Sequence, residues 1–273
     1  MDEINMQRSF SYQQKNISYR IEGKGLPVVL LHGFGEDNHI WDLQIDYLKE
    51  YCLLIVPDLP GSGSSQLLIS HDPGQFISID DYADCMQALL NHENISFCIM
   101  LGHSMGGYIT LAFVEKYADR LTAFGLVHST AYADSAEKKL NRTKGIELME
   151  TYGGQQFLKA TIPNLFGEKF KQAHPGKIDD LIASAASFST PALQQYYVAM
   201  RERPDRSRLL QSNPFPVLFV IGTADVAAPM QDVLQQTHLP LKSYIHVLEG
   251  VGHMGMWEAP GQLNQYLLAF IKS

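Results

Sequence analysis

Ser104 stands between two glycines in Gly102-His103-Ser104-Met105-Gly106, directly after the apolar run Phe97-Cys98-Ile99-Met100-Leu101 and ahead of Gly107-Tyr108-Ile109-Thr110-Leu111-Ala112-Phe113-Val114. The first run reads as a buried strand and the second as the start of a helix, so Ser104 falls on the sharp turn between them. Glycines two positions either side leave room for a strained turn that pushes a hydroxyl into a cleft. The chemistry this suits is nucleophilic attack on a carbonyl carbon. A glycine-rich turn that only packs a helix on a strand would explain the pentapeptide equally well, so the rest of the chain must decide.

A nucleophilic serine needs a base to take its proton, and the base needs an acid to orient it. After the apolar run Pro216-Val217-Leu218-Phe219-Val220-Ile221 comes Gly222-Thr223-Ala224-Asp225, a carboxylate in a loop at a strand's C-terminal end. Glu249-Gly250-Val251-Gly252-His253-Met254 places an imidazole in a loop after the final strand. Active sites of open parallel sheets gather at that edge, and the order Ser104, Asp225, His253 is one of the known orders of a catalytic triad. Donors for the developing oxyanion are expected from two backbone amides. One is Met105, after the nucleophile; the other is Phe34, in the loop His32-Gly33-Phe34-Gly35 that follows the strand Val28 to Leu31.

The competing residues read as structural. His103 points away from the Ser104 hydroxyl across the turn, His32 shapes its loop, and His128 ends a strand near the cleft as a rival base. Asp58, in Pro57-Asp58-Leu59-Pro60-Gly61-Ser62-Gly63-Ser64, precedes the serine and has the surroundings of a structural turn. Glu258 beside Trp257 reads as a helix-start residue.

The elements that must position these groups are short apolar runs with helix-like segments between them: Val28 to Leu31, Leu53 to Val56, Phe97 to Leu101, Phe124 to Val127 and Val217 to Ile221. Such alternation implies a mostly parallel sheet. Ser9 to Tyr12 and Ile17 to Ile21 alternate as an edge hairpin, and Tyr244 to Leu248 adds a last strand, about eight in all. Helices are expected at Trp41 to Leu48, Ile79 to Asn91, Gly106 to Tyr117, Met230 to Gln236 and Pro260 to Ile271. From about Ala131 to Asp205 there is no convincing strand, only helical patterning broken by Gly153-Gly154, Pro163, Pro175 and Pro191. Residues 131–205 are therefore expected to form a helical cap inserted in a core made of residues 1–130 and 206–273. Within the cap Phe166 and Tyr197, with Met254 beside the base, are the candidates to touch substrate.

The formal charge of −8, with only 21 Lys and Arg, argues against a nucleic-acid partner, which needs a basic face. No apolar stretch reaches roughly 18 residues and no basic-then-apolar leader opens the sequence, so the expectation is a cytoplasmic protein with no membrane insertion. Cys52, Cys85 and Cys98 form no CxxC pair and read as free thiols. Composition leaves the oligomeric state open.

Taken together, His32 to Gly35, Asp58 to Ser64, Gly102 to Gly107, Gly222 to Asp225 with Pro229, and Gly252-His253 with Glu258 and Pro260 resemble the motifs of the α/β-hydrolase superfamily, in particular its capped serine esterase-like members. The resemblance spans nearly the whole chain. It implies an eight-stranded sheet with the second strand antiparallel, a helical cap after the sixth strand, and neither metal nor organic cofactor. It makes Ser104 the nucleophile, His253 the base, Asp225 the orienting acid, and the amides of Phe34 and Met105 the oxyanion hole. Serine in place of aspartate argues against the dehalogenase and epoxide-hydrolase branches. The expected substrate is a small to medium, largely apolar carboxylic ester or lactone. The same triad would serve C–C, thioester or amide hydrolysis or perhydrolysis, and a slow-turnover signalling receptor keeps the same pocket.

Overall fold

The computed structural model describes residues 6–70 and 74–273. Eight strands form one sheet: β1 (Met6–Tyr12), β2 (Lys15–Gly23), β3 (Pro27–Leu31), β4 (Leu53–Pro57), β5 (Cys98–His103), β6 (Leu121–Val127), β7 (Val217–Gly222) and β8 (Ser243–Leu248), ordered β1-β2-β4-β3-β5-β6-β7-β8. β2 is antiparallel to both β1 and β4, and all the remaining pairs are parallel. β5 and β7 are buried along their whole length, as central parallel strands covered on both faces must be. The alternation along β3 sorts side chains between two layers. Val29 and Leu31 pack with the layer that includes α2 (Ile79–His92) and α3 (Met105–Tyr117), whereas Val28 and Leu30 pack opposite with α1 (Asp42–Leu48) and α12 (Pro260–Ile271).

The strand expectations hold with small shifts at their ends. β1 and β6 begin earlier than expected, at Met6 and Leu121; in β5, Phe97 lies outside the strand and is 56% exposed, while the strand runs on through Gly102 and His103 to the turn. Between β6 and β7 the chain forms helices joined by loops, with no strand: α4 (Ala136–Tyr152), α5 (Gly154–Thr161), α6 (Glu168–Ala173), α7 (Pro175–Ser184), α8 (Thr190–Glu202) and α9 (Ser207–Ser212). After β7 come α10 (Met230–Leu234) and, beyond β8, the short α11 (Gly255–Glu258). Among the described residues no helix is long and apolar enough to cross a membrane. The three cysteines are free and buried. Burial pushes the Cys52 thiol up to about 11 and the Cys98 thiol up to about 12, which keeps both unreactive.

Candidate active site

Ser104 occupies the turn between β5 and α3 at φ 50° and ψ −116°, a backbone region that non-glycine residues enter only under constraint. The surrounding bonds supply it. Ser104 N–H donates to the Val127 carbonyl at 3.1 Å, Ser129 Oγ donates to the Ser104 carbonyl at 2.7 Å, and Gly107 N–H donates to the same carbonyl at 2.9 Å. A Cβ on Gly102 would run into the Gly106 backbone, and one on Gly106 into the carbonyls of Leu31 and His32. Both glycines are therefore obligatory here, because the elbow closes on itself and on the end of β3.

Asp225 and His253 arrive at the same edge from the loops after β7 and β8. His253 Nδ1 lies 2.8 Å from Asp225 Oδ2 and 3.0 Å from Oδ1, both groups being buried. Asp225 Oδ1 also accepts from the amides of Ala227 and Ala228, each at 2.9 Å. Burial opposes ionisation of Asp225, but the His253 and His128 rings outweigh it and hold the carboxyl far below the usual range. Burial likewise opposes a charged His253. The Asp225 carboxylate wins, with Glu36 and Glu258 adding to it, so the imidazole sits above its ordinary value.

The base loop is pinned on its far side. His253 N–H donates to the Leu165 carbonyl at 2.6 Å, and the Glu258 carboxyl accepts from Gly252 N–H at 3.0 Å, Met254 N–H at 3.2 Å and Gly167 N–H at 2.8 Å. Glu258 thus does more than start a helix: it fastens the loop carrying His253 to the link between α5 and α6.

A second carboxylate–imidazole pair lies beneath the first. Glu36 Oε2 accepts from His103 Nδ1 at 3.0 Å and from Gly33 N–H at 2.7 Å, while His103 Nε2 meets the His253 carbonyl at 2.9 Å. Burial opposes ionisation of Glu36, yet the His103 ring and the Gly33 amide bring its carboxyl below the usual value. The pair ties three segments together: the Gly33 loop, the elbow and the base loop.

That loop lies against Ser104, since a Cβ on Gly33 would sit 3.1 Å from Ser104 Cβ. Neither the Phe34 nor the Met105 amide has an acceptor among the described residues. The Ser104 hydroxyl makes no hydrogen bond to His253 among them either, a bond that tightens in many hydrolases only when substrate arrives.

The residues expected to touch substrate divide. Tyr197 is half-buried, its ring 4.6 Å from that of Phe34 and 5.3 Å from that of Phe157. Phe166 is 3% exposed and stacked on Phe170 at 5.2 Å, and Met254 is completely buried. Both are buried beside the loop that carries His253, whose N–H bonds the Leu165 carbonyl next to Phe166. His32 takes the structural role expected of it, donating from Nδ1 to the Gly33 carbonyl and accepting from Leu59 N–H at Nε2. Asp58 does likewise, accepting from the amides of Asn38 and Ser64.

His128 is closer to the site than the sequence reading had it. At φ 50° its ring turns inward and Nδ1 meets Asp225 Oδ2 at 3.2 Å. The donor atoms of His128, Asp225 and His253 lie within 4.8 Å of one another, near enough to hold a metal ion. In this structure the two imidazoles instead direct their Nδ1 atoms at the carboxylate as hydrogen-bond donors.

Over residues 28–265 the chain matches the alpha/beta hydrolase family, and it belongs to that family. It is a hydrolase by this membership and by its relatives. It is 29% identical, with a TM-score of 0.90, to a thermophilic esterase from Thermogutta terrifontis solved with malate bound, covering 98% of each chain. It is 22% identical to a putative carbamate hydrolase, RutD, of Acinetobacter baylyi over 97% of each. It is 27% identical to the dihydrolipoyllysine-residue acetyltransferase component of the acetoin cleaving system of Pseudomonas putida, over 91% of this chain; the chain spans 64% of that relative's length.

Proposed function

We propose that this protein is a serine hydrolase of small carboxylic esters or lactones, in which Ser104, His253 and Asp225 act as nucleophile, base and orienting acid. The observation that carries the reading is the strained Ser104 backbone, at φ 50°, at the same sheet edge as an Asp225–His253 pair 2.8 Å apart. Ser104 Oγ attacks the carbonyl carbon while His253 Nε2 takes the hydroxyl proton, and Asp225 stabilises the resulting imidazolium. The oxyanion is received by the N–H groups of Phe34 and Met105, which are preorganised and have no competing acceptor among the described residues. Collapse of the tetrahedral adduct expels the alcohol, which takes its proton from His253. A water molecule then attacks the acyl-enzyme, giving its proton to the same nitrogen, and the acid and free Ser104 are released.

Residues 131–205 act as the cap over this site. The rings of Phe34, Phe157 and Tyr197, packed on one another across the boundary between cap and core, give it an apolar wall for the acyl or alcohol chain. A panel of esters, thioesters and lactones of graded chain length tests the reading. Turnover of esters that is abolished in Ser104→Ala supports it, and full ester turnover by that variant overturns it.

A further inference from the structure

The wall that Tyr197 forms is not purely apolar. Arg142 lies on α4, and its guanidinium carbon sits 5.1 Å over the Tyr197 ring, whose neighbour is Phe34, 4.6 Å away. One turn further along the same helix, Gly145 makes this possible: a Cβ there would press on Tyr197 at 2.7 Å and on Phe157 at 3.3 Å. One turn earlier, Lys138 reaches the Ala227 carbonyl, just beyond Asp225. The inner face of α4 thus carries two cations towards the edge where the site is built.

Arg142 brings more charge than its surroundings cancel. Asp134 receives both Arg142, through Nε, and Arg203, through Nη1 at 2.8 Å. Among the described residues it is the one carboxylate paired with either guanidinium, so two positive charges share one negative charge. Arg203 bonds the carbonyls of Met200 and Tyr132 through Nη1 and Nη2, stacks 3.8 Å over Tyr108 and leaves its side chain 4% exposed, with Nε buried and unpartnered. It strings together the two ends of the helical segment. Arg142 also stacks on a ring but bonds no carbonyl: Nε goes to Asp134, while Nη1 and Nη2 meet no acceptor among the described residues and are not sealed from water. Its side chain keeps 18% of its surface exposed although it lies between helices. A half-satisfied guanidinium presents two parallel N–H donors, the geometry that matches a carboxylate.

We propose that Arg142 forms an anion subsite for a carboxylate carried by the substrate, so that the preferred substrates are half-esters of short dicarboxylic acids or similarly charged lactones. The inference rests on the serine-hydrolase reading for the reaction, but not for the binding. The apolar wall then holds the methylene chain between the scissile carbonyl and the carboxylate, and the Arg142 fork sets its length. This narrows the largely apolar substrate expected from the family resemblance to one with a charged end.

The test uses monomethyl glutarate and methyl pentanoate, which differ in one terminal carboxylate. In the wild type, kcat/KM for the half-ester should exceed that for the neutral ester by about ten- to a hundredfold, the worth of a charge-assisted bidentate contact. In Arg142→Met that ratio should fall towards one, chiefly through KM of the half-ester, and Arg142→Lys should recover part of it. Asp134 stays paired with Arg203 in both variants, so the fold keeps its ion pair. Titration calorimetry with glutarate reads the subsite without chemistry: binding to the wild type that is lost in Arg142→Met is expected. Equal kcat/KM for the two esters in the wild type, an unchanged ratio in Arg142→Met, or glutarate binding insensitive to that substitution would overturn the subsite. Failure of a serine-directed phosphonate to label Ser104 would instead sink the reaction assignment, and the calorimetry would still decide the subsite.

Discussion

His128 Nδ1 lies 3.2 Å from Asp225 Oδ2, the same oxygen that His253 Nδ1 meets at 2.8 Å. Two imidazoles therefore share one carboxylate. Burial holds the His128 pKa below the ordinary value for histidine, so this ring is a neutral donor that draws off part of the Asp225 charge. Removing it leaves more of that charge for His253, whose pKa then rises further. In His128→Asn, chosen because asparagine tolerates positive φ, the acid limb of kcat/KM should move to higher pH by about half a unit. An unmoved limb would reduce His128 to packing.

The pH dependence of the parent enzyme follows from the same groups. His253 must be neutral to accept the Ser104 proton, and its pKa is raised, so the midpoint of the acid limb should lie above about 6.5. Stability runs the other way for this residue. A raised pKa contributes stability that is complete below about 6.5 and is lost as pH climbs through the folded value. Asp225, with a depressed pKa, contributes stability that is complete above about 3.9 and is lost as pH falls towards its folded value. Asp225→Asn should lower the acid limb and cut kcat by about 10⁴-fold; a pH–rate profile on the variant checks both.

Glu36 and His103 form a buried pair with side chains 4% and 0% exposed. Breaking such a pair from one side typically costs about 3–5 kcal/mol. Glu36→Gln should therefore lower the urea midpoint and also lower kcat by about ten- to a hundredfold, because the Gly33 amide and the loop bearing the Phe34 N–H lose their anchor. Adding His103→Asn should restore part of the stability. A Glu36→Gln variant with wild-type kcat would show that the loop holds its position without the pair.

The strands and the three loops that carry Ser104, Asp225 and His253 were legible in the sequence because each residue follows an apolar run within a few positions, and short strands announce their ends. What lay beyond reach depends on approach in three dimensions. Glu36 and His103 are 67 positions apart, and His128 and Asp225 are 97 apart. No local pattern states that such residues meet. Arg142 on an otherwise polar helix reads as a solvated charge until Tyr197 and Asp134 are placed around it. Phe166 and Met254 are ambiguous for the opposite reason: apolar character and nearness to His253 suit a pocket wall and a packed support alike.

Phe34 separates side chain from main chain. Its amide, not its ring, is assigned to the oxyanion, and its ring packs on Tyr197 and Phe157. Phe34→Ala should raise KM for esters and lower kcat/KM by about tenfold, well short of the hundred- to thousandfold loss typical when an oxyanion donor is removed. A kcat loss of that larger size with KM unmoved would mean the ring itself sets the loop.

The proposed reaction depends on Ser104 as the nucleophile. Stoichiometric reaction with a fluorophosphonate, followed by peptide mapping, tests it most directly. One phosphonyl group per chain on Ser104, with ester turnover lost in proportion and no labelling in Ser104→Ala, is the predicted result. Labelling of another residue, or inactivation that leaves Ser104 unmodified, would contradict it.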